Sequence, residues 1–90
     1  MSKKLDQLRI KIDSADRELI KALGARFKAV KALGTLKRKL KMPVLQKSRW
    51  SHVVKDRLKK SKKANLSAPF TKAVFNLIHD EAIRIQRKKS

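Results

Sequence analysis

The chain has 90 residues with two glycines, two prolines and no cysteine, so it forms one small domain of a few long elements, without disulfide or thiolate chemistry. His52 and His79 are its only imidazoles, which argues against a His/Cys metal site. Twenty-six Lys and Arg against seven Asp and Glu give a formal net charge of +19, which implies an anionic partner: nucleic acid, acidic lipid or a small polyanion.

Leu5, Leu8, Ile12, Ala15 and Leu19 recur at steps of three and four, and the stripe continues through Leu23, Phe27, Val30, Leu33, Leu36 and Leu40. This period predicts one helix of about 36 residues, roughly 1.5 Å per residue and therefore over 50 Å long. Such a helix is longer than a globule of this size is wide, so its apolar stripe needs a partner, and two copies side by side supply one. Gly24 and Gly34 each cost about 1 kcal/mol relative to Ala within it, and a glycine there also allows close approach of another helix. From Leu19 to Lys55 the sequence has eleven Lys or Arg and no acid, which concentrates positive charge mid-chain.

Lys41-Met42-Pro43 is the first break. A second helix is predicted from Val44 to about Ala64, with Val44, Trp50, Val53, Val54 and Leu58 as apolar members and a solvated Lys59–Lys63 cluster at its end, where cations suit the helix dipole. Asn65 to Pro69 forms a turn in which Ser67 is a natural N-cap and Pro69 falls in the first turn of a third helix. That helix runs to about Arg87 on an apolar face of Phe70, Val74, Leu77, Ile78, Ala82 and Ile85, and residues 87–90 are a basic tail. No β-alternation or repeat occurs. The fold class is all-α, and residues 1–90 read as one domain.

Arg26 and Lys37 are eleven residues apart. Eleven steps of about 100° return them to within about 20° on one helix face, roughly 16 Å apart along the axis. Two long cationic side chains so placed reach the two ends of one small molecule. Arg9 lies seventeen residues before Arg26 and is rotated off that face, so only a second, antiparallel chain brings an Arg9 there. Spacing alone is also met by charges on a solvated face, and pattern alone leaves a generic bundle or coiled-coil adaptor open.

Leu5-Asp6-Gln7-Leu8-Arg9-Ile10-Lys11-Ile12-Asp13, followed by Asp16 and Leu19-Ile20, resembles the opening of the AroQ-type chorismate mutases. Leu23 to Lys37, with Arg26 and Gly34, is similar to that family's LxxRxxxxxxIgxxK stretch. Pro43-Val44 followed by Arg49 resembles its entry to the second helix. Leu66 to Phe70 and Ile78 to Gln86 resemble its third helix. The likeness covers residues 5–86, with five motifs in order at family spacing.

The resemblance implies an intertwined homodimer of three-helix chains with two active sites, and chorismate as the dianionic substrate. By position, Arg26 and the second copy's Arg9 would bind carboxylates, Arg49 would add to that pocket, and Lys37 and Gln86 would hydrogen-bond the ether oxygen of the breaking bond. The reaction needs no cofactor. Three positions depart from the family. Trp50 stands where many members carry a Glu that binds the ring hydroxyl, Gln46 where many have Asp, and Ala82 where Ser is common. Gln46 or a backbone N–H is then the replacement hydroxyl ligand, and Trp50 is either a site residue or core packing. The Gln-x-x-Arg-Trp pattern is similar to mutases associated with aromatic-pathway synthases, which makes such a synthase a candidate partner. His79 reads as a packed or partly exposed helix residue.

Related enzymes on this scaffold, isochorismate-pyruvate lyase and aminodeoxychorismate mutase, are the alternatives. A basic nucleic-acid binder fits the charge, but one Trp and no Tyr give little stacking surface. Met1 to Asp6 is polar, without a targeting run, and no segment approaches the roughly 20 apolar residues of a membrane span, so a cytoplasmic protein is expected.

Overall fold

The computed structural model describes residues 2–88, so Lys89 and Ser90 of the expected basic tail lie outside the described residues. Within them the chain is three α-helices without a strand: α1, Lys3–Lys39; α2, Lys47–Lys63; and α3, Ala68–Arg87. None of the three is long and apolar enough to cross a membrane.

Local chemistry sets these boundaries. Ser2 caps α1 by accepting from the Leu5 N–H at 3.1 Å, and Ser67 caps α3 by accepting from the Phe70 N–H at 3.3 Å, with Pro69 in the first turn. The C-termini of α1 and α2 close in the same way. The Met42 N–H donates to the Lys37 carbonyl at 2.9 Å and the Lys41 N–H to Arg38 at 3.2 Å; the Leu66 N–H donates to Ser61 at 2.9 Å and the Asn65 N–H to Lys62 at 3.1 Å. Each closure puts one residue in the left-handed region, Lys41 at φ 55° and Asn65 at φ 61°. Asn visits that region readily, whereas a lysine there costs about 1 kcal/mol.

The start of α2 corrects the sequence reading, which placed it at Val44. Gln46 is extended, at φ −118° and ψ 98°, and is the N-cap. The Val44 carbonyl accepts from Lys37 Nζ at 2.7 Å instead of entering the helical ladder.

The helix α3 packs against both α1 and α2, while the backbones of α1 and α2 stay apart among the described residues. Gly34 makes the α1–α3 approach possible: a Cβ there would lie 3.0 Å from Gln86 Cα. Val53 and Ala82 are the buried apolar side chains, each 6 % exposed, a very small core. Among the described residues, 3–22 of α1 are exposed throughout. The molecule measures 59 × 28 × 15 Å as a result. What this topology leaves is a rod projecting from a short three-helix layer, and a cleft between α1 and α2 floored by α3.

Candidate active site

The cleft has a volume of about 300 Å³, at the lower end of the range for small-molecule sites. From α1 it is lined by Arg26 and Lys37, with Val30 and Leu33 between them. From α2 come Gln46, Arg49, Trp50, Val53 and Arg57, and from α3 His79, Ala82 and Gln86. Seven of the eight residues expected from the sequence therefore meet in one place. The eighth, Arg9, is exposed on the free half of α1, seventeen residues before Arg26, about 25 Å along the axis. It does not reach the cleft of its own chain.

At one end of the cleft sits Lys37, 7 % exposed. Its ammonium donates to Gln86 Oε1 at 2.6 Å and to the Val44 carbonyl at 2.7 Å. Burial pushes the Lys37 pKa below its ordinary value. Gln86 is 6 % exposed, and its Nε2 donates to the Ala82 carbonyl at 3.2 Å, one turn back along α3. The cation fixes the amide orientation, because only Oε1 can face an ammonium. An ammonium has three donors and an amide nitrogen two. Each group therefore keeps one N–H beyond those already engaged. Arg38 steadies the arrangement from the outside by donating from Nη1 to the Gln86 carbonyl at 3.0 Å.

At the other end stands Arg26. Its Nη1 is buried and has no hydrogen-bond partner among the described residues. Burial, then Arg57, then Arg49 hold its pKa below the ordinary arginine value. A desolvated guanidinium with an idle donor, faced by two more guanidiniums, is complementary to an anion. Among the described residues no Asp or Glu lines the cleft.

Between the two ends, Trp50 stacks on His79 with ring centroids 3.8 Å apart and planes 18° from parallel. Burial is the main cause that lowers the His79 pKa; Asp80 opposes it, and Arg26 and Lys37 add to it. Trp50 thus belongs to the site wall. Gln46 makes no side-chain capping bond to α2, which leaves its amide for the cleft. Ala82 contributes a small side chain to the wall and its carbonyl to Gln86. The Lys59–Lys63 cluster is a solvated helix end in which only Ser61 is buried.

Sequence reading missed three contributors. Arg57 follows Arg49 and Val53 at steps of four, a signal that was present in the spacing. The sequence reads His79 as a packed or partly exposed helix residue, because its stacking partner lies on another helix. The Val44 carbonyl carried no signal at all. Among the described residues no group of three His, Cys, Asp or Glu could hold a metal ion.

No curated protein matches the chain. The family model for chorismate mutase type II matches residues 8–87, a stretch that includes every one of the lining residues named above and Arg9. The three-helix layer thus has a cleft that pairs an ammonium with an amide at one end and gathers guanidiniums at the other. By that match the chain belongs to the chorismate mutase type II family, and it is an enzyme of the isomerase class.

Proposed function

We propose that the protein rearranges chorismate to prephenate, in aromatic amino-acid biosynthesis in the cytoplasm, at two clefts that a second copy of the chain completes. The observation that carries this reading is the Lys37–Gln86 pair, 2.6 Å apart on the cleft wall, with one N–H on each group beyond those already engaged.

The rearrangement is unimolecular and pericyclic. One C–O bond breaks as one C–C bond forms, with no nucleophile, proton relay or cofactor. Two tasks remain for the protein. The first is to hold the dianion in a compact chair-like conformer, an orientation effect. Arg26 and Arg49 grip carboxylates, and a second copy's Arg9 adds a third guanidinium from across the interface. The second task is to favour the transition state over the ground state. Negative charge grows on the ether oxygen as its bond lengthens, and the spare N–H groups of Lys37 and Gln86 meet it there already oriented. The Trp50–His79 stack gives the ring a flat wall, and Gln46 is the ligand for the ring hydroxyl in place of a carboxylate.

The case for a second copy rests on exposed apolar surface. Leu5, Leu8, Ile12 and Leu19 are 46 to 58 % exposed on the free half of α1. Full burial of such a side chain contributes about 1.5–3 kcal/mol. An unsupported helix of this length is marginal in water. An antiparallel copy covers the stripe and delivers Arg9 by the same contact.

The absence of a carboxylate from the cleft wall favours one rival, an isochorismate-pyruvate lyase on the same scaffold. Pure protein offered chorismate, isochorismate and aminodeoxychorismate separates the three readings. Formation of prephenate, with chorismate the best substrate, is the expected result; salicylate and pyruvate from isochorismate would replace it with the lyase, and the amino analogue of prephenate with the aminodeoxychorismate mutase. Tight, specific duplex binding at about 0.15 M salt without any turnover would return the protein to the nucleic-acid class.

A further inference from the structure

The helices α1 and α2 flank the cleft in opposite directions, and each carries a polar group and an arginine eleven residues apart: Lys37 and Arg26 on α1, Gln46 and Arg57 on α2. Equal spacing on antiparallel walls brings Arg57 to the same end as Arg26, about 16 Å from the ether-oxygen end. We propose that Arg57 is a substrate-binding residue, the second guanidinium on the carboxylate that Arg26 grips, supplied by the same chain.

Three observations support it. Arg57 lines the cleft although its side chain is 31 % exposed, a position between wall and solvent. The buried Nη1 of Arg26 has no partner, so this end of the cleft lacks an acceptor that a carboxylate provides. Arg57 is also the strongest of the neighbouring charges acting on Arg26. Two neighbouring guanidiniums repel, and a shared anion turns that repulsion into attraction.

An ion pair on α2 holds Arg57. Arg57 Nη1 is paired with Asp56 Oδ2, which also accepts from Lys60 Nζ at 3.2 Å. Adjacent helix residues do not face the same way, so this pair draws the guanidinium toward the flank of α2. Asp56 is 40 % exposed, and a pair this open contributes little. A substrate carboxylate bound between Arg26 and Arg57 displaces it readily.

The inference rests on the chorismate reading and deepens its anion subsite. The test uses a rigid bicyclic ether dicarboxylate shaped like the transition state, together with its two monomethyl esters, and calorimetry on the wild type, Arg57→Met and Arg57→Lys. Met keeps the aliphatic stem, so packing of α2 on α3 is retained, and thermal unfolding of each variant checks this. The expected result is a loss of about 10- to 100-fold in affinity for the diacid in Arg57→Met, the value of one charge-assisted contact. One monoester shows almost no such loss, because it lacks the carboxylate concerned, and Arg57→Lys falls between. A loss equal for the diacid and both esters, or no loss, overturns the proposal while wild-type turnover of chorismate leaves the function standing. A wild type that neither binds the diacid nor turns over chorismate overturns both.

Discussion

The two halves of α1 share one helix and one apolar period, yet they meet different fates. The C-terminal half lies against α3, buries Gly34 and Lys37, and forms a wall of the cleft. The N-terminal half has no neighbour, and its leucines and isoleucines face solvent. The difference teaches that an apolar stripe specifies that a helix will be covered, and says nothing about which chain covers it. In the proposed function the finished half supplies Lys37 and Arg26 to the cleft, and the unfinished half holds Arg9 for a second copy.

The largest expected effect breaks the finished half alone. Lys37→Ala removes a preorganised donor worth about 3–4 kcal/mol to the transition state, a loss of roughly 10²- to 10³-fold in kcat. Gln86→Ala acts on the same oxygen and has a similar effect. Helix content by circular dichroism and dimer mass by sedimentation stay as in the wild type. Undiminished kcat in either variant would remove the assignment.

The next test joins the halves. Arg9→Ala and Arg26→Ala homodimers are each nearly inactive. Statistical exchange of subunits makes half of all dimers mixed, and in each mixed dimer one of two clefts holds both arginines. About one quarter of wild-type activity returns. Verified exchange with no recovery would mean that Arg9 serves its site in some other way than across an interface.

The pH profile sharpens the same contrast, because it reports how dry the finished half is. The proposed mechanism uses the charged form of Lys37, so the rate is expected to fall as pH rises through the pKa of that group. Burial lowers this pKa, so the alkaline limb begins below the ordinary lysine value of about 10.4. Lys37→Arg, charged throughout this range, retains residual activity without the limb. A wild-type limb at or above the ordinary value would place the ammonium in water.

The helices were legible in the sequence because period, caps and breaks act locally. Ser2 and Ser67 announce their helices, and α1 ends within a residue of its last apolar position. The start of α2 was not legible, because it depends on Lys37, seven residues before Val44, taking a carbonyl out of the ladder. The left-handed closure at Lys41 was hidden as well, since no glycine marks it. In the site, positions on one helix face could be read from spacing, as for Arg26 and Lys37. The Trp50–His79 stack and the orphan donor of Arg26 arise only when three helices meet.

The smallest effect sets one substitution against itself in the two environments of α1. Alanine in place of either glycine gains about 0.5–1 kcal/mol of helix propensity. At Gly34 that gain is overwhelmed, because the new Cβ would lie 3.0 Å from Gln86 Cα and 3.1 Å from its Cγ. The backbone of α3 must shift, at a cost of about 1–3 kcal/mol, and the shift moves the amide that faces Lys37. Gly34→Ala therefore lowers both the melting temperature and kcat. At Gly24 nothing lies within 4 Å, and Gly24→Ala raises the melting temperature with kcat unchanged. The pair also probes the second copy. If Gly24→Ala lowers the melting temperature and weakens self-association, the partner chain approaches α1 at that residue, and the bare half begins further along the helix than one chain by itself reveals.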